Sequence, residues 1–152
     1  MAGDTGGGAR GRRGGASGHC AMPHTADTLL HAWGPSRERC LAEAVHALVE
    51  TFAEVADVRP VTGGRVRLGP AEDEELLVAL LDEVVFRLEV AGLVPVGVDV
   101  EPVGAGVLEA RLSLARLADV TVVGAAPKGV SWQNLRIGPD AHGWSCAVIV
   151  DV

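Results

Sequence analysis

The apolar positions of this chain change period several times, and each change marks an element. HCAM (19–22) and TLLHAW (28–33) are short runs that predict strands on either side of PHTAD (23–27). Gly34-Pro35 ends the second run, and Ser36 follows as an N-cap. From Leu41 the apolar residues fall at Ala44, Val45, Leu48, Val49, Phe52 and Val55, which predicts a helix with one buried face from Ser36 to about Val55. Pro60 and Gly63-Gly64 break that period, and RVRL (65–68) alternates as a strand. Glu72, Asp73, Glu74 and Glu75 then place negative charge where a helix N-terminus favours it. Leu76, Leu77, Leu80, Leu81, Val84, Val85 and Leu88 form the stripe of a second helix, with Gly92 as its terminator.

Beyond Gly92 the pattern is that of strands. VPVGVDVEPV (94–103) and VLEARLSL (107–114) predict a hairpin around Gly104 and Gly106, with Pro95 pointing to an edge or a strand start. VTVVG (120–124), GVSWQNLRI (129–137) and WSCAVIV (144–150) follow, the last two separated by a turn that Gly138-Pro139-Asp140 opens. Helices and strands do not alternate strictly. The expected class is therefore α+β, a mostly antiparallel sheet with two amphipathic helices packed on one face.

Composition narrows this further. Residues 1–17, MAGDTGGGARGRRGGAS, have almost nothing to bury and are expected to be a disordered Gly/Arg-rich tail before a single domain at 18–152. Arg10, Arg12 and Arg13 are similar to RGG-type RNA-binding tails, but so few arginines give little affinity. Aromatics are only 3% of the chain, so the core must be aliphatic and no stacked aromatic face for reading bases is available. The net charge of −7 points away from holding RNA directly and toward a cation or a basic protein surface. Cys20, Cys40 and Cys146 lack disulfide or zinc spacing and are expected as small core residues. No signal-peptide stretch and no membrane-length apolar run are present, which makes the expected location cytoplasmic.

No nucleophile elbow, phosphate loop or dinucleotide fingerprint occurs. What remains is a set of polar residues that packing does not account for: His24, Thr25 and Asp27 early, Lys128, Ser131, Gln133 and Asn134 late, and Asp151 just before Val152. Asp151 and a free Val152 carboxylate would gather oxygens that repel one another unless a cation neutralises them. Oxygen donors suit a hard cation such as Ca²⁺ or Mg²⁺. Taken alone, the same residues also describe an ordinary solvated chain end and an ordinary turn aspartate.

Three segments resemble the archease family: His24-Thr25-Ala26-Asp27, the segment Lys128-Gly129-Val130-Ser131-Trp132-Gln133-Asn134-Leu135, and the strand from Trp144 to Val152. The resemblance spans about 18–152 and includes both Leu-rich helices. It implies a two-layer sandwich fold. It also implies a divalent metal, Ca²⁺ foremost with Mg²⁺ or Mn²⁺ as alternatives, held by Asp27, Asp151 and the Val152 carboxylate. His24, Lys128, Ser131 and Gln133 would support that site or face a partner. The implied role is accessory, not enzymatic: activation of a GTP-dependent RNA ligase that joins 2′,3′-cyclic-phosphate or 3′-phosphate ends to 5′-hydroxyl ends, with RNA met only indirectly. Two positions depart from the family pattern. Gln133 stands where a His is usual, and Gly129 where an Ala is usual, so proton transfer at 133 is not expected here. Two other classes remain: a small stand-alone metal-dependent hydrolase, for which too few catalytic groups are visible, and a chaperone-like binder of nucleic-acid-processing proteins.

Overall fold

The computed structural model describes residues 15–24 and 27–152. Most of the expected tail, 1–14, and Thr25 and Ala26 of the PHTAD segment lie outside the described residues. Strands β1 (Gly18–His24), β2 (Asp27–Gly34), β8 (Gly129–Asp140) and β9 (Gly143–Asp151) form a four-stranded antiparallel sheet in the order β1-β2-β9-β8. Strands β4 (Thr62–Leu68), β5 (Leu93–Gly104) and β6 (Val107–Arg116) form a second antiparallel sheet in the order β4-β6-β5. A short ribbon pairs β3 (Ala53–Glu54) with β7 (Thr121–Val122). Helix α1 (Arg37–Glu50) lies on β1, β2 and β9, and helix α2 (Asp73–Ala91) lies on β8. Both helices also meet β5, so the helix pair links the two sheets. This is the expected α+β architecture, with the helices on one face of the four-stranded sheet.

Strand alternation decides which face that is. Leu30 and Ala32 of β2 pair with Val148 and Cys146 of β9, and all four are buried in the core with Val150. Their neighbours Asp27, Leu29 and His31, and Asp151 and Ile149, therefore fall on the opposite, outer face. The inner face meets the stripes anticipated from sequence: Leu41, Val45 and Leu48 of α1, and Leu77, Leu81 and Val84 of α2, none of them measurably exposed. Burial of side chains this size supplies roughly 1.5–3 kcal/mol each.

The helix ends also follow the sequence. The Ser36 hydroxyl accepts from the Arg39 N–H at 3.2 Å. The Glu75 carboxylate reaches back to the Glu72 N–H at 3.1 Å. Gly92 ends α2 at φ +63, a left-handed conformation that costs glycine little. No helix among the described residues is long and apolar enough to cross a membrane.

Four local expectations need correcting. Helix α1 stops at Glu50, not near Val55, because the Phe52 carbonyl accepts from the Val123 N–H at 2.8 Å and the chain turns into β3. The strand expected over 120–124 is only Thr121–Val122. Gly138-Pro139-Asp140 does not open a turn. It continues β8, an edge strand in which a proline without an N–H is tolerated. The turn falls one step later, where the His142 N–H donates to Asp140 Oδ1 at 2.9 Å. Finally, Cys40 and Cys146 are buried, but Cys20 is exposed, because it alternates onto the outer face of edge strand β1.

Candidate functional site

One rung of the four-stranded sheet gathers most of the residues singled out from sequence. His24 of β1 is opposite Asp27 of β2, Asp27 is opposite Asp151 of β9, and Asp151 is opposite Gly129 of β8. The rung is the last of the sheet at this end. Lys128 extends it, its backbone N–H donating to the Asp151 carbonyl at 2.8 Å. Because facing residues of an antiparallel pair project from the same side, Asp27 and Asp151 share the outer face, where Cβ atoms of such pairs are about 4.5–5.5 Å apart. Asp27 is half-buried and Asp151 exposed. Val152 comes next and is packed against the core, which fixes the backbone beyond Asp151.

Electrostatically the rung is unbalanced. Like charges directly opposed on a sheet destabilise it. Neither Asp27 nor Asp151 forms a hydrogen bond or ion pair through its side chain with another described residue, and the exposed Lys128 ammonium forms none either. Among the described residues no three His, Cys, Asp or Glu side chains converge as a ready metal cluster. The donors on offer are carboxylate and backbone oxygens, which fit a hard cation and do not fit zinc. Two carboxylates leave part of a cation's shell to be filled by backbone, chain-end or partner oxygens.

The late segment is arranged differently from a plain strand. Ser131 is opposite Ile149 and Arg136 is opposite Ala147, so residues 132–135 of β8 stand against Val148 alone. This bulge lifts Trp132, Gln133 and Asn134 to the exposed edge, while Leu135 packs back onto the core. Asn134 adopts φ +59, a left-handed conformation that Asn tolerates better than most residues. The Ser131 hydroxyl is engaged within the bulge, accepting from the Gln133 N–H at 3.1 Å. Ser131 thus supports the local backbone, and Gln133 stands out from the sheet edge. The structure brings Asp27, Asp151, Val152, Lys128 and the backbone of His24 together; it leaves Ser131 and Gln133 as neighbours farther along β8.

One charged cluster was not read from the sequence. His19 of β1 places Nδ1 2.7 Å from Glu43 and Nε2 2.7 Å from Glu50, both on α1. His46 stacks on it with ring centroids 6.4 Å apart. The Glu43 hydrogen bond lifts the His19 pKa to about 8 against the opposing effect of burial, with Glu50 adding to the lift. His19 in turn holds the Glu43 carboxyl below its ordinary range. The available signal was the seven-residue spacing of Glu43 and Glu50, which puts both on one helix face. In the core, Cys40 meets Cys146; that contact and burial push the Cys40 thiol up, which keeps it inert.

Comparison with known proteins adds to this geometry. The model of the Archease protein family (MTH1598/TM1083) matches residues 20–152. A Mycobacterium tuberculosis protein named "Probable protein archease" is 39% identical, over 93% of this chain and 79% of its own length. "Protein archease" of Methanosarcina barkeri is 26% identical over 86% of this chain and 93% of its own. Among solved structures, the solution structure of protein 1598 of Methanobacterium thermoautotrophicum has a TM-score of 0.74 at 19% identity, covering 89% of this chain and 99% of that one. The crystal structure of a Thermotoga maritima archease, described as a possible chaperone, has a TM-score of 0.62 at 18% identity, covering 86% and 94%.

Proposed function

The chain belongs to the Archease family, and from that premise we propose that it is a non-catalytic activator of a GTP-dependent RNA ligase. That ligase would join 2′,3′-cyclic-phosphate or 3′-phosphate RNA ends to 5′-hydroxyl ends, in tRNA splicing or RNA repair in the cytoplasm. The activator would promote guanylylation of the ligase and sustain its turnover, meeting RNA only through it. The observation that carries this reading is the facing pair Asp27 and Asp151, two like charges on one rung, neither ion-paired to another described residue. A divalent cation, Ca²⁺ foremost and otherwise Mg²⁺ or Mn²⁺, would be held by Asp27, Asp151 and the Val152 carboxylate. Bound there, it would supply positive charge at the tip of the sheet, where a partner's phosphate groups could meet it. Lys128 and His24 flank the rung, and Ser131 and Gln133 lie on the partner-facing edge.

A chaperone-like role is favoured by one observation, the description of the Thermotoga maritima relative as a possible chaperone. Ligase assays separate the two. Asp27→Ala and Asp151→Ala should each abolish cation binding by calorimetry and remove ligase stimulation, while the far-UV circular dichroism stays that of the wild type. Extending the chain beyond Val152 should weaken both activities without lowering thermal stability in chelator. Full stimulation by both aspartate variants refutes the site. Suppression of aggregation of an unrelated unfolded protein, with no effect on the ligase, would replace the activator reading by the chaperone one.

A further inference from the structure

Trp132 is 56% exposed on the edge strand of the four-stranded sheet. Single exposed apolar residues are ordinary on protein surfaces. What distinguishes this one is how firmly its backbone is held. The Ser131 hydroxyl accepts from the Gln133 N–H, Asn134 takes a left-handed conformation, and Leu135, partly buried, packs back onto the core immediately afterwards. The indole is therefore presented on a knuckle fixed at both ends. Preorganised aromatic side chains of this kind lose little entropy on binding and dominate the energetics of protein interfaces.

The bulge also decides the mode of contact. A regular edge strand offers its N–H and C=O groups to an added strand. Here the ladder to β9 is interrupted over 132–135, the Gln133 N–H is given to the Ser131 hydroxyl and Asn134 is left-handed, so this stretch is a poor template for an added strand. Side chains remain: the Trp132 indole with the exposed amides of Gln133 and Asn134. The knuckle is continuous with the aspartate rung, since β8 begins at Gly129, which faces Asp151. Phosphate-rich RNA is a poor occupant beside Asp27 and Asp151 on a chain of net charge −7. A protein surface with a basic rim complements that field.

We propose that Trp132 is the apolar anchor that docks this chain into a slot on a basic protein partner, setting the aspartate rung beside that partner's own site. The proposal rests on the activator reading and names its contact residue. Affinity for a GTP-dependent RNA ligase of the same organism would be measured for the wild type, Trp132→Ala and Trp132→Phe, together with cation binding. Trp132→Ala should bind the ligase about 10- to 100-fold more weakly, and Trp132→Phe should keep most of the affinity. Both should bind the cation and melt as the wild type does, because the indole lies outside the core and the rung. Ligase affinity unchanged in Trp132→Ala overturns the anchor while leaving the activator reading intact. A wild type that neither binds nor stimulates the ligase overturns both. A single-stranded RNA oligonucleotide that binds the wild type alone, and is lost with Trp132→Ala, also overturns it by making the indole a base-stacking platform.

Discussion

Each end of strand β1 adjoins a charged cluster, and the two clusters are treated in opposite ways. At His19, on the helix side of the sheet, one imidazole stands between two carboxylates with both ring nitrogens at 2.7 Å. A neutral imidazole has one N–H to give, so donation to both Glu43 and Glu50 requires the imidazolium. The fold thereby neutralises the charge it buries and ties the edge strand to α1. At the other end, His24 leads into the rung where Asp27 faces Asp151 and neither is ion-paired to another described residue. The first cluster is complete and serves the fold. The second is left open among the described residues.

The largest expected effect tests the completed cluster. His19→Ala leaves the largely shielded Glu43 without its partner and should cost about 2 kcal/mol, a fall of roughly 4–8 °C in melting temperature. Its pH dependence has a defined sign. The His19 pKa is raised from 6.5 to about 8, so its stabilisation is complete below pH 6.5 and is lost as pH rises through about 8. The interval from 6.5 to 8 corresponds to about 2 kcal/mol. Denaturant unfolding at pH 6 and pH 9 should show this loss in the wild type and not in His19→Ala. Equal losses in both proteins would move the pH sensitivity away from His19.

The opposite sign is expected at the open rung. In chelator, Asp151→Asn removes one of two facing like charges and should raise stability by less than ~1 kcal/mol. The same substitution should remove the stabilisation that added Ca²⁺ gives the wild type. A destabilisation in chelator comparable to that of His19→Ala would mean that Asp151 is held by the fold in the same way as Glu43, and the contrast between the two ends of β1 would collapse.

How much of this could be read beforehand depended on the range of the interactions. The helices were legible because their stripes, the Ser36 cap and the Gly92 stop are local. The end of α1 was not, since Phe52 continues the helical period and only the distant Val123 claims its carbonyl. The bulge in β8 left one mark in the sequence, the adjacent polar pair Gln133-Asn134 that breaks the alternation between Trp132 and Leu135, but its size depends on how few partners β9 supplies. Asp27 and Asp151 are individually ordinary, and their meeting is a fact of register between strands that are far apart in sequence. Only the resemblance of the surrounding segments linked them. His19 and its two glutamates had no such help. Their encounter requires β1 to lie across α1, and nothing in the residues around His19 announces that.

The smallest expected effect concerns Gln133, and it asks whether the open rung can behave as the closed cluster does. A histidine is usual in the family at this position, and it would be a natural counter-charge for Asp27 and Asp151 if it could reach them. The structure places Gln133 on the raised edge of β8, within the four-residue stretch that faces only Val148, while the rung lies beyond Ser131 at Gly129. Its backbone N–H is already given to the Ser131 hydroxyl, and any side chain at 133 can keep that bond. Gln133→His should therefore leave stability unchanged within about 0.5 kcal/mol, the usual range for exposed positions. The new imidazole should titrate near the ordinary value of about 6.5, in contrast to His19 at about 8, and both are resolved by proton NMR. Ligase stimulation should change by less than about twofold across pH 6–8, because a chain that carries Gln there does not depend on a proton at that position. An imidazole titrating as high as His19, with a matching rise in stability at low pH, would show that the rung reaches Gln133 after all and that the bulge is no barrier between them.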